Sequence, residues 1–276
     1  IYVFDNNSRD RTVEAAVTAG ATVRRVPLQG KGNVVRRMFA DIDADAYVLV
    51  DGDDTYHAAS AHAMVARLLD DNLDMVVSRR VTDETAAYRP GHRFGNWVLT
   101  ECVARLFGRA FTDILSGYRV FSRRFVKSFP ALATGFEIET ELTVHALELR
   151  MPIEEIVAPY KSRPEGSVSK LNTYRDGVRI LWTILKLFRQ ERPLAFFGSI
   201  GVVLWVASLG LAAPLLLTFA ETGLVPRLPT AVLVTGMALT GTVSLACGLI
   251  LDTVTRGRHE MKRLAYLQIA PPRVDS

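Results

Sequence analysis

Two stretches of this 276-residue chain carry no charged side chain at all, Leu194 to Ala220 and Leu228 to Leu251. Each exceeds the roughly 20 apolar residues that cross the hydrocarbon core of a bilayer. Charged residues make up 22% of the whole, so they crowd into what remains, above all the first 192 residues. A polar domain followed by a two-helix transmembrane region is the organisation this distribution predicts. Only Arg227 supplies positive charge between the two stretches. Lys186, Arg189 and Arg192 precede the first, and Arg256, Arg258, Lys262 and Arg263 follow the second. The positive-inside bias places both flanks in the cytoplasm. The expected protein is therefore integral to a membrane, the plasma membrane in a prokaryote, with its polar domain cytoplasmic. Two-span membrane proteins often pack together, so a homo-oligomer is compatible with this layout.

The segment just before the first span, Tyr174 to Arg189, has helical spacing. Val178, Leu181, Trp182, Leu185 and Phe188 fall on one side, with Arg175, Arg179, Lys186 and Arg189 largely on the other. Such a helix is suited to lying in a headgroup layer. The net charge of +4 could suggest nucleic acid. The basic residues are instead spread out, with their concentration beside the apolar segments, which favours a membrane surface. Two cysteines, one of them inside an apolar stretch, support neither a disulfide framework nor a cysteine zinc site.

In the polar part, strand and helix patterns alternate: Ile1 to Phe4, Asp10 to Ala19, Ala21 to Val26, Gly32 to Ile42, Ala46 to Val50, Ala58 to Leu69 and Asp74 to Ser78. This rhythm predicts an α/β domain with a mostly parallel, Rossmann-like sheet. Ile1-Tyr-Val-Phe4 reads as a strand already under way, so a further N-terminal strand is expected to precede it. Beyond Ser78 the pattern continues with helices over Phe94 to Phe107 and Phe136 to Leu149 and strand-like runs at Gly117 to Phe121 and Ile153 to Val157. The expected boundaries are a catalytic domain over 1–171, an interfacial helix over 172–193, the transmembrane pair over 194–252 and a cytoplasmic tail over 253–276.

The apolar strand Ala46 to Val50 runs straight into Asp51-Gly52-Asp53-Asp54-Thr55. Clustered carboxylates at the carboxyl end of a strand sit where open α/β sheets bind ligands. Oxygen ligands suit Mg²⁺ or Mn²⁺, which can bridge to a nucleotide diphosphate and neutralise a leaving group. The first strand ends likewise in Asp5-Asn6-Asn7-Ser8-Arg9-Asp10, whose Ser8 or Asp10 can cap the next helix. Gly30-Lys31-Gly32 is a basic turn before a helix, able to approach a base or a diphosphate. It lacks Walker spacing, and no Gly-x-Gly-x-x-Gly follows the first strand, which argues against ATPase and dehydrogenase chemistry. The five histidines form no metal-ligand pair at helical spacing and no Gly-x-Ser-x-Gly elbow exists, so hydrolase readings lose support.

Taken in order, the pieces Asp5-Asn6-x-Ser8-x-Asp10-x-Thr12, Gly30-Lys31-Gly32, Asp51-x-Asp53, Asp113-x-x-Ser116-Gly117-Tyr118-Arg119 and Arg163-x-x-Gly166 followed by Ser169-Lys170-Leu171 resemble glycosyltransferase family 2. The resemblance is strongest to its dolichol-phosphate mannosyltransferase and polyprenyl-phosphate glycosyltransferase branch, and it covers nearly the whole chain. It implies a GT-A fold and an inverting transfer of sugar from a UDP- or GDP-linked donor to a polyprenyl phosphate. The family's Pro-x-(Tyr/Phe)-Asn-Glu segment is not in this sequence. The acidic motif also departs from the mannosyltransferase-like Asp-Ala-Asp-x-Gln. The resemblance further implies that Asp5, Asn6, Ser8, Lys31, Asp51 and Gly52 line the donor site, that Asp51 and Asp53 serve the metal, and that Asp113 lies with Asp53 at the reacting centre.

A phosphate monoester is already anionic near neutral pH, so it needs cationic positioning more than a strong base. Arg80, Arg93, Arg119 and Lys170 are the candidates for that role, since guanidinium groups grip phosphate with two prongs. Glu137, Glu139 and Glu141 share one expected helix, where a solvated face is the default reading. Two alternatives stand beside the leading one. A processive polysaccharide synthase would ordinarily carry a Gln-x-x-Arg-Trp motif, which does not occur here. A non-catalytic scaffold that binds nucleotide sugars would show no turnover.

Overall fold

The computed structural model describes residues 1–81, 92–108, 111–161 and 173–272. Strand β1 (Tyr2–Asp5) pairs in parallel with β2 (Thr22–Arg25), so that Asp5 lies opposite Arg25. Helix α1 (Thr12–Thr18) connects them, and α2 (Lys31–Asp41) follows. Asp10 is expected as a possible cap of α1, but the N-cap position is Arg11 and no side chain caps the helix there; Asp10, one residue earlier, accepts the Thr12 N–H at 3.1 Å.

A four-stranded sheet is built from β3 (Ala46–Leu49), β4 (Met75–Val81), β5 (Arg119–Ser122) and β6 (Ile153–Pro159), in the order β3-β5-β4-β6. Helix α3 (Ser60–Asp70) joins β3 to β4, and α4 (His92–Phe107) follows β4. Helices α5 (Arg123–Ser128) and α6 (Ile138–Glu148) lie between β5 and β6 in the sequence. The βα rhythm yields the parallel pair β4 and β6. Strand β5 enters antiparallel between β3 and β4, which makes this sheet mixed. All four β5 residues are buried, as befits a strand flanked on both edges.

Against this sheet Met64, Leu68, Val76, Tyr118 and Val120 form one core. Phe39, Phe121, Phe125 and Phe129 form an aromatic row beside it, with ring centroids 4.7–6.1 Å apart. Such edge and tilted contacts add to what burial contributes.

The chain divides into two compact units, Ile1–Ile184 with Met261–Ser276, and Leu185–Glu260. Helix α7 (Thr173–Glu191) carries the expected exposed apolar face: Val178, Leu181 and Trp182 are 69%, 49% and 67% exposed. It has a second face that periodicity did not separate, with Ile180 and Ile184 buried.

In the second unit, α8 (Pro193–Thr222) and α9 (Leu228–Leu267) pack closely. A Cβ on Gly201 would fall 2.9 Å from the Gly241 carbonyl oxygen, so the glycines allow the backbones to meet. Ser208 and Ser244 donate across the pair to the carbonyls of Val234 and Phe197 at 3.0 and 2.8 Å. Leu209, Leu216, Val232 and Leu249 stay more than half exposed. These are two helices long and apolar enough to cross a membrane.

Where a tail was expected after 252, α9 instead continues to Leu267, and from Met261 the chain belongs to the first unit. There Tyr266 donates to the buried Asp74 at 2.8 Å, and the Arg124 guanidinium stands 4.9 Å from the Tyr266 ring.

Candidate active site

The ends of β1 and β3 carry the two polar clusters, and a chain of side chains joins them. Asp5 is buried and accepts the Ser8 N–H at 3.1 Å, which shapes the loop after β1. Asn6 is fully engaged. Its amide donates to the carbonyls of Val26 and Leu28, both at 2.8 Å, and its oxygen accepts the Gly30 N–H at 2.8 Å. Asn6 therefore holds the Gly30-Lys31-Gly32 turn in place.

The turn itself is pressed against another segment. A Cβ on Gly30 would sit 2.1 Å from the Thr134 oxygen, and one on Gly32 would sit 2.3 Å from the Ala133 oxygen. Gly30 also has φ +125°, outside the range that other residues favour. The two glycines are required by this close approach, which leaves Lys31 as the group the turn presents.

Lys31 lies between two carboxylates. Its Nζ is 2.6 Å from Asp51 Oδ1 and also pairs with Glu139 Oε1. Burial works against the ammonium, yet Glu139 and Asp51 outweigh it and hold its pKa above the ordinary value. For Glu139 burial wins over Lys31, and its pKa is raised.

The solvated face expected for α6 is corrected here: Glu137, Glu139 and Glu141 are all buried. Glu141 accepts the backbone N–H groups of Leu132 and Ala133 at 3.0 and 2.7 Å. Glu137 accepts those of Thr134 and Gly135 at 3.3 and 3.0 Å. Together they brace the 132–135 backbone against which the Lys31 turn packs. This role leaves no hydrophobic pattern, because the satisfied donors are main-chain N–H groups.

Gly117 faces the same point from β5's entrance. A Cβ there would fall 2.4 Å from Asp51 Oδ2 and 2.9 Å from Lys31 Nζ. The Gly117 N–H donates to the Tyr56 hydroxyl at 2.9 Å. Burial pushes the Tyr56 phenol up to about 12, so it stays neutral. Asp53 accepts the Thr55 hydroxyl at 2.7 Å, while Gly52 is exposed with open space around it. Asp51 and Asp53 are both partly exposed on one turn and offer hard oxygen donors, which fit a divalent cation. Asp51 is also tied to Lys31.

Asp113 and Arg80 meet in a buried two-pronged pair. Glu155 on β6 accepts the N–H groups of Thr112 and Asp113 and the Thr112 hydroxyl, at 2.6–3.1 Å, and so clamps the loop that carries Asp113. The Arg80 guanidinium also stands 5.6 Å from the Tyr160 ring.

Arg119 requires a correction. It is fully buried and donates to the carbonyls of Ser116 and Ile114 and to the Thr143 hydroxyl, at 2.6–2.9 Å. Burial pulls its pKa down to about 10. Its place inside the sheet makes it a brace for the Ile114–Gly117 turn, with no route to an acceptor phosphate. Lys170 and the side chain of Arg93 lie outside the described residues.

With this geometry in view, the description Glycosyl transferase family 2 matches residues 1–129. Glycosyltransferase AglJ of Haloferax volcanii is 32% identical over 275 residues, covering 97% of this chain and 89% of that protein. The chain belongs to glycosyltransferase family 2.

A second relative, the low-salt glycan biosynthesis hexosyltransferase Agl6 of the same organism, is 27% identical over 202 residues, which cover 72% of this chain and 48% of that one. Among solved structures, glucosyl-3-phosphoglycerate synthase from Mycobacterium tuberculosis, in complex with Mn²⁺, UDP-glucose and phosphoglyceric acid, superposes with a TM-score of 0.54. It is 22% identical and the match covers 68% of each chain, a likeness of GT-A fold. In this family 2 member, the polar clusters at the ends of β1 and β3 lie on the segment that the family description matches.

Proposed function

We propose that this glycosyltransferase moves a sugar from a nucleoside-diphosphate donor to a polyprenyl phosphate, at the cytoplasmic face of a membrane and with a divalent cation. The observation that carries this reading is α7. It exposes Val178, Leu181 and Trp182, and it runs across Arg192 directly into α8. A soluble acceptor would give no reason for such a face on a helix that leads in sequence into an apolar span, whereas a lipid acceptor must be met at the headgroup layer.

The charges at the end of β3 support the cation. Among the described residues, Asp51 and Glu139 pair with Lys31 and Asp54 pairs with Lys161, with Asp53 on the same turn, and a donor diphosphate would add further negative charge beside these carboxylates. Asp53, with Asp51 beside it, would hold Mg²⁺ or Mn²⁺, which would neutralise charge on the departing diphosphate.

This chain's residues do the remaining work by position. Asp5 and Ser8 form the donor loop, which Asn6 ties to the Lys31 turn. Lys31 and Gly117 fix the orientation of Asp51. Asp113, clamped by Glu155 and Arg80, borders the reacting centre. The acceptor phosphate oxygen attacks the anomeric carbon, the bond to the diphosphate breaks, and the nucleoside diphosphate leaves with that electron pair. An acceptor already deprotonated needs no general base for this step.

The membrane part of the proposal is tested with acceptors of two lengths. Trp182→Asp should raise the Michaelis constant for an undecaprenyl phosphate in bilayer discs while leaving that for a short, water-soluble prenyl phosphate unchanged. Equal effects on both acceptors would count against an interfacial role for α7.

A further inference from the structure

Beside the Asp51-x-Asp53 turn lies a cavity of about 340 Å³, lined by Asp54, Tyr56, His57 and Lys161 along with Ala58, Ala59 and Pro159. Lys161 is tied to the acidic turn twice. Its N–H donates to the Thr55 carbonyl at 3.0 Å, and its Nζ stands 2.8 Å from Asp54 Oδ2. Next to it, Tyr160 forms a bridge with Tyr56, and their rings lie 5.2 Å apart. The backbone of Lys161 is thus fixed while its ammonium end rests on an exposed carboxylate.

The other described cations of the region are already committed. Lys31 is held by Asp51 and Glu139, Arg80 is buried against Asp113, and Arg119 is buried in the sheet. The Asp54–Lys161 pair differs in kind, with side chains 68% and 56% exposed. An ion pair so open to water is weak and easily exchanged. Asp54 itself adopts φ 56°, a left-handed conformation.

We propose that Lys161 is a phosphate-binding residue of the transfer reaction, exchanging Asp54 for a phosphate oxygen of one of the two substrates in this cavity. The inference rests on the polyprenyl-phosphate reading above. A lysine suits this exchange, because its charge sits on a flexible four-carbon stem that can swing from a carboxylate to a phosphate. A phosphate monoester carries more negative charge than the carboxylate it displaces, and the donor diphosphate carries two charges on adjacent phosphates, so either exchange favours substrate.

The test uses the full chain in bilayer discs, with Lys161→Gln and Lys161→Arg beside the unaltered protein. Lys161→Gln should raise one Michaelis constant by about tenfold with an unchanged thermal midpoint, and Lys161→Arg should recover most of that loss. A rise for the polyprenyl phosphate assigns the contact to the acceptor. A rise for the nucleotide sugar, with weaker equilibrium binding of the nucleoside diphosphate alone, assigns it to the donor.

Unchanged Michaelis constants and unchanged diphosphate binding, or a rise that arginine does not relieve, would overturn the inference. If the unaltered protein transfers nothing to polyprenyl phosphate, the functional reading fails separately. The assignment of Lys161 is then decided by diphosphate binding, where tenfold weakening supports it and no change overturns it.

Discussion

Arg80 and Asp113 face each other as a two-pronged ion pair, Nε and Nη2 lying 2.6 and 2.7 Å from the two carboxylate oxygens. Their side chains are only 9% and 7% exposed. Removing one member of such a pair leaves a buried charge alone and costs about 3–5 kcal/mol, whereas replacing both with apolar groups is often neutral. Asp113→Leu should therefore destabilise the protein, and Arg80→Met with Asp113→Leu should restore its thermal midpoint without restoring turnover. A double variant that regains transfer would show that the pair serves the fold alone.

Lys31 and Glu139 give a pH signature. The pKa of Glu139 is raised chiefly by burial, with Lys31 the main group opposing the rise. In Lys31→Met that opposition is gone. An acid whose folded pKa is raised binds more protons folded than unfolded, so stability falls as pH rises through that interval. The midpoint of Lys31→Met should fall, relative to the unaltered protein, as pH rises above the ordinary carboxylate range. Adding Glu139→Gln should abolish the trend. In the unaltered protein Lys31 titrates outside that interval: its stabilising contribution is complete below 10.5 and is lost only at higher pH. Parallel pH curves for Lys31→Met and the unaltered protein would contradict the clamp.

Much of the architecture was legible because it is periodic or local. The strand ends carrying Asp5 and Asp51, the glycine-flanked Lys31 and the two apolar spans all show themselves within a few residues. What escaped was decided by partners far along the chain. The direction of β5 depends on pairing with β3 and β4, which no local pattern encodes. The acids of α6 resembled a solvated face because charge alone does not reveal that Glu137 and Glu141 satisfy main-chain N–H groups. Arg119 sits in a motif, and a motif position does not separate a group that meets substrate from one that braces the turn before β5. Its burial follows from the central position of β5.

Arg119 accordingly yields an expectation about stability. Its guanidinium satisfies two carbonyls and a hydroxyl inside the sheet, so Arg119→Met orphans buried acceptors and should cost about 3 kcal/mol or more. Lysine should rescue little, because it lacks the planar fork. Chemical unfolding measures the cost. A lipid Michaelis constant that rises without loss of stability would reinstate Arg119 as an acceptor contact.

Two glycines near the acidic turn should respond in opposite ways. Gly117→Ala places a methyl 2.4 Å from Asp51 Oδ2, so the carboxylate must move, and nucleoside-diphosphate binding should weaken by about tenfold. Gly52→Ala meets nothing within 4 Å and should leave the thermal midpoint unchanged. Calorimetric titration and thermal unfolding of the two variants provide the comparison. Equal loss of binding in both would mean that the Asp51 orientation is not what Gly117 protects.

The proposed cation makes Asp53 the most sensitive carboxylate. Asp53→Ala should abolish Mn²⁺-dependent tightening of nucleoside-diphosphate binding while the fold survives, since the side chain is partly exposed on a turn. Binding measured with and without chelator decides this. Metal-dependent binding that persists in Asp53→Ala would move the ligand elsewhere.

The most direct measurement offers the purified chain, in bilayer discs with a polyprenyl phosphate and Mg²⁺ or Mn²⁺, a panel of labelled UDP- and GDP-sugars. Label should pass from one donor into an organic-extractable, acid-labile lipid carrying a single sugar, and chelation should stop it. Label recovered in insoluble polymer, or donor that is bound but never transferred, would contradict a polyprenyl-phosphate glycosyltransferase.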